Sequence, residues 1–380
     1  MASAEGAVAQ REQAAAAEAE AKRKTELQAL ADHGDAAWEE VEELINVGQS
    51  KAYDQAVALS KNLHALAIEQ DKVAVFECRV EHIRKQYSCR SSLMAANEKR
   101  TVGIIPKNEV TNMTNELSTP YPLTDEQIAT YQKDGYIKLK NVLSAETLAH
   151  YGAEISRAVQ QKSKEALPLE ERDTYSKAFL QLSNIWEDDE VVKEFVMSER
   201  LGQIAARLMQ VDGVRMYHDQ ALFKEASGGF TPWHADQYYW PLSNDNTVTA
   251  WIPLQATPVE MGPLSFCIGS QQILSHRDVA ISDESEQKLN RSLKDYPKDE
   301  TPFDLGEVSF HAGWTFHRAG PNTTGQMRGV MTVIYIEDGI TLAEPKNQNQ
   351  QNDWNRWMPG AELGKVVDTP LNPVIWNVNH

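Results

Sequence analysis

From Val214 to Ile336 the sequence predicts short strands at Val214–Tyr217, Ala221–Lys224, Gln237–Trp240, Val248–Pro253, Leu264–Ile268, Val308–Phe310 and Gly329–Ile336. They are rich in β-branched and aromatic residues, and Gly, Pro and small polar residues separate them. Many short strands with such turns suit an all-β sandwich or jelly roll, in which each sheet buries a face against another. On an extended segment, residues i and i+2 point the same way. In Thr231-Pro232-Trp233-His234-Ala235-Asp236-Gln237 that rule brings His234 and Asp236 to one side. A second imidazole, His317, arrives from a distant strand. Two His and one carboxylate on one face of a metal leave the opposite positions open, the ligand set of non-haem Fe(II) sites. Arg328 opens the last strand of the series and offers a planar cation that can hold a dicarboxylate in bidentate fashion.

A His-x-Asp tripeptide alone is weak in a chain with ten His, where a lone His is more often structural than a ligand. The combination is far more specific. It joins the tripeptide to a glycine turn (Gly262-Pro263-Leu264), to Gly269-Ser270, to a His before Ala319-Gly320-Pro321-Asn322, and to Arg328. The rival ligands fare worse. His218 and Asp219 are adjacent, so on a strand they face opposite sides. His311 has no carboxylate near it in sequence and is expected to support the site or the fold. Zinc hydrolysis would also accept His and Asp ligands, but it gives Arg328 no task.

The segments Trp233-His234-Ala235-Asp236-Gln237, Gly262-Pro263-Leu264-Ser265-Phe266, Gly269-Ser270-Gln271 and His317-Arg318-Ala319-Gly320-Pro321-Asn322, followed by Arg328, resemble the phytanoyl-CoA dioxygenase family of Fe(II)/2-oxoglutarate oxygenases. The resemblance begins near Leu123-Thr124 and runs to a tail at Trp357-Met358-Pro359-Gly360 and Pro370-Leu371-Asn372-Pro373-Val374. It implies an α+β fold with a mainly β catalytic part: a double-stranded β-helix (a cupin-like jelly roll) with buttressing helices. It implies Fe(II), 2-oxoglutarate and O2 as the reacting set. His234, Asp236 and His317 become the metal ligands and catalytic centre, and Arg328 the partner of the 2-oxoglutarate C5 carboxylate. The activity implied is hydroxylation of a small organic molecule, coupled to decarboxylation of 2-oxoglutarate to succinate. Halogenating relatives replace the carboxylate by a small residue, so Asp236 favours hydroxylation or a related oxidation such as desaturation. Gln181 and Asn184 lie where polar residues of relatives approach co-substrate or substrate. Two departures stand out: Gln271 where members often carry His, and Ala319 where some have a serine that assists the arginine. The alternative is a catalytically inactive cupin-like binding protein whose N-terminal helices mediate protein interaction.

Other residues follow from position alone. Gln220 and Lys224, at alternating spacing before His234, are candidates to face the cavity and bind co-substrate. Tyr238, Tyr239, Trp240 and Trp251 are candidates to line an aromatic substrate pocket, though such residues serve equally as core.

At 380 residues the chain exceeds one typical domain. A helical region (1–98), a linker (99–122, with Gly103, Pro106 and Ser118-Thr119-Pro120-Tyr121-Pro122) and a catalytic domain (123–380) are expected. The first 30 residues, Ala- and Glu-rich without an apolar stripe, are expected to be partly disordered. Beyond them Trp38, Val41 and Leu44, then Ala56, Leu59 and Leu63, then Val73, Phe76, Val80 and Ile83, mark amphipathic helices. They are read as mutual core and as a surface for a protein partner or homo-oligomer; His64 and His82 are structural. In the second part a capping box, Thr124 with Gln127, opens a helix that Gly135 ends. Ser144 caps another, and a third covers about 189–209. Residues 275–302 read as an insertion loop over the cavity mouth, and 344–357 as a surface loop. A net charge of −18 argues against nucleic acid and anionic membranes as partners. It likewise gives no steering help to a polyanionic CoA thioester. Cys78, Cys89 and Cys267 have no metal spacing and an odd total, which favours free thiols in a reducing compartment. With no long apolar run, a cytoplasmic location is expected.

Overall fold

The computed structural model describes Leu30, residues 36–47, scattered positions from 55 to 79, Met113, and residues 115–162 and 179–379. The chain forms two compact units, 1–112 and 113–380. In the first, helix α1 (Ala36–Val47) contributes Ala37, Trp38 and Val41 to an apolar cluster with Ala56, Leu63, Ala67 and Phe76. The expected stripes therefore pack on one another here. His64 stacks on Phe76, with ring centroids 5.0 Å apart. The expectations for residues 1–29, Val73, Val80, His82, Ile83, Cys78 and Cys89 lie outside the described residues. Among the described residues no helix is long and apolar enough to cross a membrane.

The second unit is built on two antiparallel sheets. The larger runs β1 (Tyr136–Leu139), β8 (Val308–Ala312), β5 (Thr247–Pro253), β10 (Val330–Glu337), β3 (Gly213–Phe223) and β11 (Val374–Asn377), with β2 (Leu180–Ser183) also paired to β3. The smaller runs β4 (Thr231–His234), β9 (His317–Ala319), β6 (Leu264–Cys267) and β7 (Lys298–Asp299). Strand β5 is buried at every position and carries no polar-out alternation, as expected of a central strand covered on both faces.

The helices have readable starts. Thr124 accepts from Gln127 N while the Gln127 side chain accepts from Thr124 N, the reciprocal box that opens α2 (Asp125–Asp134). Gly135, at φ 79°, closes it in the left-handed region that favours glycine. Ser144 Oγ accepts from Thr147 N at the start of α3 (Ala145–Lys162). The helix expected over 189–209 is broken in two, α4 (Glu190–Val196) and α5 (Glu199–Met209), because Ser198 caps a new start by accepting from Leu201 N. Helix α5 lies against β11: a Cβ on Gly202 would come within 2.7 Å of Ile375.

Five further expectations change. The two strands expected around His218 to Gln220 are one, β3; His218 and Asp219 are buried strand positions and Gln220 a half-buried one, not a turn. Gln237–Trp240 is a 3-10 turn, Asp236–Tyr239, and not a strand. The insertion at 275–302 holds a helix, α6 (Asp283–Ser292), opened by a Ser282–Ser285 capping box. Within 344–357 lies another, α7 (Gln348–Trp357), capped by Asn347 and packed inward. Asn115–Ser118, inside the stretch 99–122 whose composition suggests a linker, is helical and belongs to this unit.

Candidate metal and co-substrate site

The smaller sheet positions two imidazoles by register. His234 ends β4 and lies directly opposite His317, the first residue of β9. Their ring centroids are 4.2 Å apart. Asp236 follows at the start of the 3-10 turn, so the strand argument that grouped it with His234 reaches the right place by a different backbone. Its Oδ1 is 3.6 Å from His234 Nε2 and 3.7 Å from His317 Nε2.

Hydrogen bonds fix what each ring offers. His234 Nδ1 donates to Pro232 O at 2.8 Å, and His317 Nδ1 donates to Thr315 O at 3.0 Å. A ring that donates from Nδ1 carries its free lone pair on Nε2. Burial pushes both imidazoles down to about 4, so they are neutral near pH 7. Burial alone would raise Asp236, but His317, His311 and His234 around it hold its carboxyl well below the usual carboxylate range. Thr249 Oγ1 donates to Asp236 Oδ2 at 3.0 Å, and His311 Nε2 lies 3.3 Å from the same oxygen. These partners take Oδ2 and leave Oδ1 toward the rings. Two lone pairs and a carboxylate oxygen thus converge within 4.8 Å, with no donor between them. Acceptors facing acceptors repel unless a cation lies among them, and bonds of about 2 Å would suit these separations. The donor set fits a divalent metal.

Arg328 supplies the second test. It is 1% exposed, and one guanidinium nitrogen donates to Gly262 O. Its Nε has no hydrogen-bond partner, and among the described residues no carboxylate pairs with it. Burial pushes the guanidinium down to about 9, still charged near neutrality. A buried, unpaired cation is costly, and an exogenous carboxylate would remove that cost. Gly262, at φ 65°, is held so close to Gly320 O that a Cβ would clash. That close approach presents the Gly262 carbonyl to Arg328.

One cavity of about 510 Å³ holds the triad, His311 and Arg328 together, within the range of roughly 300–1,000 Å³ for small-ligand sites. Gln181, Gln220, Tyr239, Trp240 and Trp251 line it as expected. Lys224 does not: β3 has ended, and its Nζ donates to Gly229 O and Gly320 O at 2.6 and 2.8 Å. Asn184 instead takes a left-handed turn beneath β3, its Oδ1 accepting from Asp219 N at 3.4 Å. Tyr238 is not among the lining residues; its hydroxyl accepts from Asn349, which is, at 3.4 Å. Gln271 is remote as well; its Nε2 donates to Gln132 O and Lys133 O and ties down the end of α2. Ala319 does line the cavity.

Sequence reasoning missed one wall. Helix α7 contributes Asn349, Asn352, Asp353, Arg356 and Trp357. Asp353 Oδ2 accepts from Tyr217 OH at 3.2 Å, and Trp357 stacks on His218 with centroids 4.3 Å apart. The aromatic pair Trp354 and Trp357, three apart, is the one sequence signal that a helix here packs inward.

The sequence model of the family described as phytanoyl-CoA dioxygenase matches residues 131–330. A probable alpha-ketoglutarate-dependent hypophosphite dioxygenase of Stutzerimonas stutzeri is 26% identical over 227 residues, covering 55% of this chain and 77% of that protein. An ectoine dioxygenase of Streptomyces avermitilis is 24% identical over 249 residues, covering 60% and 83%. Among solved structures, the non-haem alpha-ketoglutarate-dependent carbocyclase SnoK from nogalamycin biosynthesis superposes with a TM-score of 0.58 at 23% identity, covering 68% of this chain and 100% of that one. EctD from S. alaskensis with 2-oxoglutarate and 5-hydroxyectoine gives 0.52 at 19%, covering 67% and 90%. At these identities the structural likeness carries the fold: the cupin-like jelly roll.

Proposed function

The chain belongs to the phytanoyl-CoA dioxygenase family, and on that premise we propose that it hydroxylates a small organic molecule at the cavity of the second unit. It is an oxygenase that uses iron(II), 2-oxoglutarate and O2. His234, Asp236 and His317 are the residues that would hold the iron, and Arg328 would take the distal carboxylate of 2-oxoglutarate. The observation that carries this reading is the pairing of three converging acceptors with a buried guanidinium that no carboxylate among the described residues neutralises, in one cavity. When bound, iron and 2-oxoglutarate supply the oxidising power: one oxygen atom of O2 goes into the substrate, the other into succinate, and carbon dioxide is released.

The protein's own part is positional. The carbonyls of Pro232 and Thr315 lock the two imidazoles in the Nδ1–H form and fix their orientation. Thr249 and His311 hold the Asp236 carboxylate by its other oxygen, which limits it to one donor toward the rings. Trp251, with Arg328 Cζ 5.3 Å from its ring centroid, walls the guanidinium from water and strengthens its pull on a carboxylate. Asp236 occupies the position that a halide would need, which favours hydroxylation.

Anaerobic addition of iron(II) and 2-oxoglutarate tests the reading through the metal-to-ligand charge-transfer absorbance, with succinate formation in air as the second measure. Both are expected in the wild type. His234→Ala and Asp236→Ala are expected to lose both while keeping the wild-type circular dichroism, since the strands that carry them pair without metal. Absorbance that survives in both variants would overturn the ligand assignment.

A further inference from the structure

Helix α7 lays two charged side chains along the cavity wall, and its hold on the fold shows that they are built in. Gln350 Nε2 donates to Tyr238 O at 3.0 Å, and Trp357 and Met358 are buried in the core cluster around Ile334 and Leu342. Asp353 faces inward from this anchored helix. Tyr217 OH, itself from β3, donates to its Oδ2. Its Oδ1 has no hydrogen-bond partner among the described residues. Arg356, one turn later, is exposed at the rim and rests over the Trp357 ring with Cζ 4.3 Å from the centroid, so it does not neutralise Asp353 by direct contact.

The charges of the cavity then divide into two ends. Iron(II), the Asp236 carboxylate, the 2-oxoglutarate dianion and the Arg328 guanidinium together balance to zero. Asp353 stands outside that balance, yet near enough for the Asp236 charge to act on it. Burial pushes its carboxyl up to about 7, and neither the Tyr217 hydroxyl nor the Arg356 charge at the rim offsets that desolvation. The one cation of this wall, Arg356, pulls the carboxyl down from the rim without forming an ion pair with it, and Asn349, Asn352, Gln181 and Gln220 are neutral amides that offer hydrogen bonds only.

Resting on the oxygenase reading above, we propose that the substrate is a small molecule with a cationic nitrogen, an ammonium or amidinium, and that Asp353 Oδ1 receives it. The nitrogen end lies against α7 and the oxidised C–H bond points toward the triad. Asp353 is thus a specificity residue and takes no part in the oxidation.

The experiment separates this claim from the one beneath it. Iron(II) and 2-oxoglutarate absorbance, read first without substrate, reports on the triad and Arg328; its absence would defeat the oxygenase reading itself. Succinate formation is then measured with a panel of basic amino acids, polyamines and amidines, each beside its N-acylated or neutral counterpart, and with acyl-CoA. At least one cationic member is expected to raise succinate formation tenfold or more over the substrate-free rate, and its neutral counterpart is not. Asp353→Asn, nearly the same shape and still able to accept from Tyr217, is expected to keep the absorbance and to raise the KM of that cationic member at least tenfold, with a smaller change in kcat. Asp353→Glu is expected to restore part of the loss. Stimulation by neutral or CoA members alone, equal response of wild type and Asp353→Asn, or no stimulation by any cation while the absorbance is intact would each overturn the proposal.

Discussion

Two buried basic side chains, Lys224 and Arg328, sit opposite one another across a β-bridge and have contrary fates. Lys224 Nζ, which burial pushes down to about 6, donates to the carbonyls of Gly229 and Gly320, so it fastens the loop after β3 to Gly320. Arg328 lines the cavity and keeps an Nε without a partner among the described residues. Removing one member of a buried charge pair costs about 2–5 kcal/mol, so Arg328→Ala is expected to raise the 2-oxoglutarate KM by roughly two orders of magnitude. An unchanged KM would deny Arg328 its assigned partner. Alternation in the sequence placed Gln220 and Lys224 together, and it was right only as far as the strand ran. Gln220 is within β3 and lines the cavity; Lys224 is one residue past its end. Asp353 was invisible to such counting, because the only local sign that its helix folds inward is the Trp354 and Trp357 pair beside it. Its environment gives a pH prediction. Burial raises the folded carboxyl from 3.8 to about 7. The folded state therefore holds the proton more tightly, and Asp353 costs increasing stability as pH rises from about 4 through 7. Asp353→Asn is expected to raise the Tm by ~2–4 °C at pH 8 and to leave it nearly unchanged at pH 4. Equal shifts at both pH values would mean that the carboxyl is not perturbed.

At the scale of elements, the strands and capped helices were legible and the two polar helices were not. The Thr124 box, Gly135 stop and Ser144 cap carry local chemistry that needs no tertiary partner. Helices α6 and α7 are rich in Ser, Asn, Gln and Asp, residues that favour turns unless the fold supplies partners. The partners of α6 explain both its helicity and its purpose. Glu286 Oε2 accepts from the Trp233 backbone N–H at 2.7 Å, its Oε1 pairs with Arg318 at 2.9 Å, and Asn290 Oδ1 accepts from Trp233 Nε1 at 2.9 Å. The helix is thereby pinned to β4 and β9, one residue from each imidazole of the triad. Ala280 and Ile281 just before it line the cavity, and Ile281 N donates to Tyr239 OH at 2.9 Å. Glu286→Ala leaves a buried N–H and a guanidinium without partners, at a cost of about 1–3 kcal/mol. The expected result is a lower urea midpoint together with weaker iron(II) binding, read from the charge-transfer absorbance against metal concentration. Iron affinity equal to the wild type would show that α6 does not position the strands.

For the whole molecule the question is where the catalytic unit begins. Composition suggested residue 123, after the last proline of the 99–122 stretch; contacts suggest residue 113. Glu116 accepts from Ser144 N at 3.1 Å and from Ser144 Oγ at 2.9 Å, and lies 3.4 Å from Arg200 Nη1. It therefore braces the start of α3 against α5. Ser198 Oγ donates to Leu117 O at 3.0 Å, Arg200 Nε to Thr119 O at 2.7 Å, and Tyr121 OH to Lys140 O at 2.9 Å. Met113 and Leu117 are buried. A chain started at 123 exposes the surface these residues cover and leaves Arg200 and the Ser144 cap without a shared carboxylate. The cavity, by contrast, draws its lining from residue 179 onward. A protein of residues 113–380 is expected to fold with the urea midpoint of the catalytic transition unchanged and to keep the iron(II)–2-oxoglutarate absorbance. A protein of residues 123–380 is expected to keep the absorbance at low temperature but to lose about 2–4 kcal/mol, combining buried apolar area with broken charge-assisted bonds. Equal stability of the two would return the boundary to residue 123. Loss of the absorbance from a folded 113–380 would instead show that the helical unit contributes to the site.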